Sequence, residues 1–330
     1  MSATPRRPGL LVAPMRRFAR ARNRMLFAAV AVLAVIATTA TAQARVTIGI
    51  GQQTPEIFRS PAWHALGAPD VRYIAPWDVA DDPAELDKLD AWMAAATGAN
   101  ARVMIGFQHS LRSARLARTL PSVRAYRRAF RAVQARYPTV HAWVPWNEAN
   151  NAGSLTGRNP ARAASFYNVV RQACRRCNVV AGDVLDQRNL ESWLKRYKRH
   201  LRYRPTIWGL HNYHDANART DKSTKLMLRL TRGQLWFTET GGVVKMRVNG
   251  RNGMITKSYG IRRAAQSTRY VLNLSRKSRR ITRIYLYHWL APSRFTTWDS
   301  ALTDHNMRPR LIYRTVAQWL RNARRGGLAR

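Results

Sequence analysis

Acidic residues are scarce: against 57 Lys and Arg, the 330-residue chain carries 17 Asp and Glu, for a formal charge of +40. Only five of the acids are glutamates, Glu56, Glu85, Glu148, Glu191 and Glu239. Cysteine is nearly missing. Cys174 and Cys177, in ACRRCN, have no second pair with which to build a four-ligand zinc site. They close a predicted helix rather than open one, which argues against a thioredoxin-like redox pair and for a local disulfide in an exported protein. The apolar run from Met25 to Ala37 is shorter than the roughly 20 residues a bilayer-spanning helix needs. Solenoid-period repeats, low-complexity tracts and linkers are absent, which favours one domain over an array. No nucleic-acid motif accompanies the positive charge, so no specific nucleic-acid partner is implied.

What is present begins with an export pattern over residues 1–44. Seven arginines between Arg6 and Arg24 precede the Met25–Ala37 run, and Ala42-Gln43-Ala44 follows as an A-x-A cleavage site. A secreted or cell-envelope location follows, with an uncleaved N-terminal anchor as the rival reading. The remaining 45–330 suffices for one large domain. Its charge speaks to association rather than fold. It suits an acidic polysaccharide or weak contact with an anionic cell surface, and equally a solvated basic surface, since RSARLAR, RAYRRAFRAVQAR and RKSRR read as helix faces and ends. No obligate protein partner is implied.

Eight short apolar runs alternate with helical stretches: 46–51, 71–77, 101–107, 141–146, 178–185, 205–213, 234–239 and 281–290. Near-continuous apolar strands separated by helices indicate a parallel sheet covered on both faces. Eight such units in this length predict a closed (β/α)8 TIM barrel, an α/β fold in one domain. The stretch VVKMRVNGRNGMITKSYG after the seventh run reads as a long loop.

In such a barrel the loops after the strands carry the chemistry. Polar residues gather at those ends: Trp77-Asp78, Gln108-His109, Asn147-Glu148, His211 to His214, Thr238-Glu239 and Tyr287-His288-Trp289. Glu148 ends the fourth strand and Glu239 the seventh, which sets them across the mouth. Two carboxyl groups about 5–5.5 Å apart are what retaining glycoside hydrolysis requires. The proton donor of such a pair must hold its proton near neutral pH, so apolar neighbours such as Trp146 and the second carboxylate are expected to raise its pKa. Aromatic rings suit the apolar faces of sugars; Trp77, Trp143, Trp146, Tyr213, Trp289 and Trp298 are candidates. His109 either lines a sugar subsite or caps the strand-three loop.

PWNEANN, WFTETGG and LHNYH at these strand positions make the chain resemble the clan-A glycoside hydrolases, the 4/7 superfamily of retaining β-glycosidases. The resemblance spans about residues 46–320. It implies that Glu148 is the acid/base, Glu239 the nucleophile and Asn147 a ligand of the sugar 2-hydroxyl. It also implies that His211 and Tyr213 sit near the nucleophile, that Arg72 supports it and that Trp289 floors the site. No cofactor or metal is implied.

Several residues keep a second reading. His211 serves equally well as a hydrogen-bonded core histidine, and each tryptophan as core. A metal cluster of His211, His214 and Asp215 is a further option. Asp183 and Asp186 read as loop or cap residues and are left out of the catalytic set. From a different class, the chain could be a non-catalytic carbohydrate-binding or polyanion-binding envelope protein on the same barrel.

Overall fold

The computed structural model describes residues 46–250, 253–294 and 297–329; the expected export segment, 1–44, lies outside them. Ala44–Arg330 forms one compact unit. Its strands are β1 (Thr47–Gly51), β2 (Asp70–Pro76), β3 (Arg102–Gln108), β4 (Ala142–Val144), β5 (Asn178–Leu185), β6 (Ile207–His211), β7 (Gln234–Thr240), β8 (Lys245–Gly250), β9 (Gly253–Ser258), β10 (Ile281–Tyr287) and β11 (Trp298–Asp299). Eight of them close a parallel barrel in the order β1-β10-β7-β6-β5-β4-β3-β2. These are the eight expected runs, and β10 is the eighth barrel strand.

The helices are α1 (Pro61–Leu66), α2 (Pro83–Gly98), α3 (Ala114–Ala117), α4 (Val123–Arg136), α5 (Pro160–Ala173), α6 (Leu190–Arg199), α7 (Tyr213–Ala218), α8 (Lys222–Leu230), α9 (Ile261–Leu274) and α10 (Leu311–Arg325). Their periodicity shows why they pack as they do. In α4 the buried residues are Tyr126, Ala129, Phe130 and Val133, and in α6 Leu190, Trp193, Leu194 and Tyr197. Both sets fall at i, i+3, i+4 and i+7, one face of a helix, which leaves the arginines outside. Each large apolar side chain so buried contributes roughly 1.5–3 kcal/mol. Side chains of Asp82, Ser122 and Asn159 cap α2, α4 and α5, and Pro83 and Pro160 occupy first-turn positions where no N–H is missed. Cys174 and Cys177 are joined in a disulfide just past α5. Among the described residues no helix is long and apolar enough to cross a membrane.

Inside the barrel, Met104, Val144, Val180, Ile207, Trp236 and Tyr285 form their own cluster. At the N-terminal end of the strands, buried Asp70 is closed between Arg102 (2.6 Å) and Arg283 (2.7 Å). Packing and charge pairing thus fill the barrel's interior and its lower end, and polar chemistry gathers at the other rim. One expectation needs correction. The stretch after β7 is not a plain loop: β8 and β9 pair antiparallel, and β11 extends them to three strands.

Candidate active site

The C-terminal rim opens on a cavity of about 1200 Å³ whose lining includes Asn147, Glu148, Tyr213, Glu239, Tyr287 and Trp298. At its base lies Arg72, on β2 and 1% exposed. Arg72 Nη1 donates to Glu239 Oε2 at 2.5 Å, and Nη2 donates to Asn147 Oδ1 at 2.7 Å and to Asp183 Oδ2 at 3.2 Å. One guanidinium therefore ties together the ends of β4, β5 and β7, a task its planar fork performs and a lysine cannot. Glu239 also accepts from the Tyr213 hydroxyl at 3.1 Å.

Glu148 is held differently. Its Oε2 accepts from Asn151 Nδ2 at 2.9 Å, and its Oε1 lies 3.3 Å from His211 Nδ1. The same Nδ1 is 3.9 Å from Glu239 Oε2, and Nε2 is 3.2 Å from Asp183 Oδ2. One oxygen from each glutamate and a nitrogen of His211 lie within 4.8 Å of one another. The two glutamates do meet.

Local backbone geometry aims these groups. Glu148 has φ +47° and Asp183 φ +48°, the left-handed region that costs a non-glycine residue roughly 1–3 kcal/mol. Hydrogen bonds hold both in place. Asn147 N–H donates to the Phe107 carbonyl at 2.7 Å, and Ala149 N–H to that of Asp183 at 3.1 Å. The Asn150 side chain binds both the N–H and the carbonyl of Leu185. In β5 the register against β6 shifts between Ala181 and Val184, a bulge beside Gly182 that re-aims Asp183. Facing it on β6, Gly209 leaves no room for a side chain: an added Cβ would lie 2.7 Å from Asp183 Oδ1.

The electrostatics follow from this cluster. Burial would raise the Asp183 carboxyl, but His211 and Arg72 hold it down at about 2. Burial would lower His211; the charges of Asp183 and Glu239 instead carry it to about 10, so the ring is an imidazolium at neutral pH. For Glu148, burial is outweighed by the hydrogen bonds and charge of His211 and by Asn151, and its pKa is lowered. This corrects the expected upward shift. The reason is geometric: Trp146 turns its Nε1–H to Ser154 at 3.0 Å and stacks on Phe166, leaving His211 as the neighbour that decides.

No family model matches the sequence, and no curated protein matches it. Solved structures do. GH5_18 from Streptomyces cattleya, in complex with GlcNAc, matches with a TM-score of 0.62 at 15% identity, over 85% of this chain and 80% of that one. Native xylanase 10B from Thermotoga maritima matches with a TM-score of 0.60 at 11% identity, over 86% and 97%. A GH128 endo-β-1,3-glucanase from Amycolatopsis mediterranei, in complex with laminaripentaose, gives 0.52 at 13%, over 82% and 98%. The chain is a (β/α)8 barrel of the kind these enzymes share.

On this barrel, Arg72, Asn147, Glu148, His211, Tyr213 and Glu239 come together. His109, exposed, and Trp146, buried, border a side pocket of about 280 Å³ that also touches Asn147 and Glu148. Trp289 does not join them. β10 ends at Tyr287, three residues earlier than a strand running to 290, and Tyr287 lines the cavity. Trp289 is fully buried against Tyr313 instead. Trp143 is core, packed on Phe107 and Phe130, whereas Trp298 lines the cavity edge-on to Tyr213. The residue wrongly left out is Asp183, which reads from sequence as a loop or cap residue but binds Arg72 and His211. Its signal was a carboxylate within an apolar strand directly after a glycine, the composition of a bulge. His211, His214 and Asp215 do not converge: His211 groups with the two glutamates, and Asp215 and His214 with Asp186.

Proposed function

We propose that the protein is a retaining O-glycoside hydrolase acting on a β-linked oligo- or polysaccharide, with Glu239 as nucleophile and Glu148 as acid/base. The observation that carries this is the approach of the two carboxylates, with one oxygen of each inside 4.8 Å. That fits the about 5–5.5 Å of retaining pairs and leaves no place for the water that separates inverting pairs by roughly 6.5–9.5 Å. The fold shared with the xylanase and the glucanase supports the same chemistry.

In the first step a Glu239 oxygen bonds to the anomeric carbon as the bond to the leaving oxygen breaks, and that oxygen takes a proton from Glu148. In the second, Glu148 takes a proton from water, whose oxygen displaces Glu239. Arg72 and Tyr213 orient the nucleophile. Asn147, whose Oδ1 is taken by Arg72, has its amide N–H left to donate to a 2-hydroxyl. Because Glu148 is ionised and His211 protonated, the proton for the leaving group comes from His211 through the 3.3 Å contact. A sugar that excludes water disfavours the ion pair and pushes the proton onto Glu148.

We also read the protein as exported. The basic-then-apolar pattern before Ala44 supports this, as does the Cys174–Cys177 disulfide, a bond of oxidising compartments. The +40 charge suits weak attachment to an anionic cell surface.

A screen of aryl β-glycosides and envelope polysaccharides with wild type, Glu148→Gln and Glu239→Gln tests the assignment. Each substitution should cost at least about 10²–10⁴ in kcat, the scale of acid–base catalysis. Turnover undiminished in both would remove the assignment of these two glutamates, and binding with no turnover in wild type would leave the non-catalytic binding reading in its place.

A further inference from the structure

The barrel order divides the cavity wall into two unequal arcs. Going from β4, which Glu148 follows, to β7, which carries Glu239, the short way round passes β5 and β6, and the long way passes β3, β2, β1 and β10. A glycan whose scissile bond lies between the glutamates has one end on each arc. On the long arc the cavity is lined by Gln53, Ile74, Gln108 and Tyr287, all uncharged. On the short arc it is lined by Arg188 after β5, His214 after β6 and Lys222 at the start of α8.

Of these, the cations Arg188 and Lys222 are not used up by the protein. Among the described residues neither Arg188 nor Lys222 forms an ion pair, and Asp221, beside Lys222, is taken by Lys225 and Lys277. The one carboxylate on this wall, Asp186, accepts the backbone N–H groups of His214 (3.0 Å) and Asp215 (2.7 Å), and burial pushes it up to about 7. The centre itself is net negative, with Glu148, Glu239 and Asp183 set against Arg72 and His211. An anionic sugar would be repelled there unless the flanking wall compensated it.

We infer that the short arc is an anionic-sugar subsite: the substrate is an acidic glycan whose charged residue binds beside Arg188 and Lys222, on the β5–β6 side of the scissile bond. A guanidinium fork matches a carboxylate or sulfate in two hydrogen bonds, and the ammonium adds a point charge. The placement rests on the glycosidase reading, but binding is measurable without turnover.

The test is calorimetric titration of the full chain with uronic-acid oligosaccharides, their carboxyl-reduced neutral counterparts and sulfated analogues of those. At least one acidic member should bind about tenfold or more tighter than its neutral form, and the margin should shrink as salt rises. Arg188→Gln/Lys222→Gln should abolish the margin. Arg202→Gln/Arg232→Gln, in a second groove by the N-terminal ends of β6 and β7, removes as much charge and should preserve it. Preference for uronates over sulfates, or the reverse, identifies the anion. Equal or weaker binding of every acidic member, or a margin that survives the first pair or falls with the second, overturns the inference. Acidic binding with no hydrolysis would instead sink the glycosidase reading and keep the subsite.

Discussion

The Asp183 carboxylate and the His211 imidazole are paired at 3.2 Å with both side chains 1% exposed or less. This buried pair, more than either glutamate alone, sets where protons reside at the mouth of the barrel. The His211 pKa, raised from 6.5 to about 10, predicts an imidazole that remains protonated through neutral pH, visible as ring ¹⁵N shifts that do not titrate near 6.5. Asp183→Asn removes the largest favourable charge beside His211 and should bring the titration down toward the ordinary range.

The same pair predicts a stability window. His211 is raised on folding, so its contribution is complete below about 6.5 and is lost as pH climbs toward 10. Asp183 is lowered from 3.8 to about 2, so its contribution is complete above 3.8 and is lost as pH falls toward 2. Urea unfolding across both ranges should show stability declining at each end, and Asp183→Asn should flatten both limbs. Unchanged limbs in that variant would place the titration elsewhere.

Arg72→Met strands the carboxylates of Asp183 and Glu239 without their shared cation. Removing one partner of a buried ion pair costs about 3–5 kcal/mol, and activity should vanish with it. Arg72→Lys should recover part of the stability and little of the activity, because one ammonium cannot reach Glu239, Asn147 and Asp183 together. Full activity in the lysine variant would show that the fork geometry is unimportant.

Gly209→Ala adds one methyl group against Asp183 Oδ1 at 2.7 Å, Val180 Cγ1 at 2.8 Å and Asp183 Cα at 2.9 Å. Overpacking of this kind costs about 1–3 kcal/mol. Because the contact falls on Asp183, His211 should lose part of its raised pKa as well. A thermal melt and the ¹⁵N titration report the two effects separately.

Tyr213→Phe deletes the hydrogen bond to Glu239 and keeps the ring against Trp298. Loss of a hydrogen bond to a charged group, worth roughly 1.5–3 kcal/mol, corresponds to about 10- to 100-fold in kcat. KM should move little, and stability should stay within about 1 kcal/mol.

The barrel was legible because its signal is local and repeated: eight apolar runs and the helices between them each declare themselves. The rim positions of Glu148 and Glu239 were legible for a related reason, since strand counting converts sequence position into position on the rim; Arg72 came only from the family resemblance. What could not be read depends on phase. Asp183 enters the site only because a bulge at Gly182 shifts β5 against β6, and alternation along a strand does not announce a bulge. Trp289 was misplaced because β10 stops at Tyr287, and a three-residue error in a strand end exchanges a cavity wall for core. The hairpin of β8 and β9 escaped because its charged residues mask the alternation. The lowered Glu148 pKa escaped because it depends on His211, 63 residues further along the chain.

The most direct test is covalent. The protein is incubated with a panel of 2-deoxy-2-fluoro aryl β-glycosides, digested and read by mass spectrometry. The account predicts one fluoroglycosyl adduct on the peptide that contains Glu239, absent in Glu239→Gln and formed more slowly in Glu148→Gln. An adduct on Glu148, or glycan turnover that persists in Glu239→Gln, would contradict it.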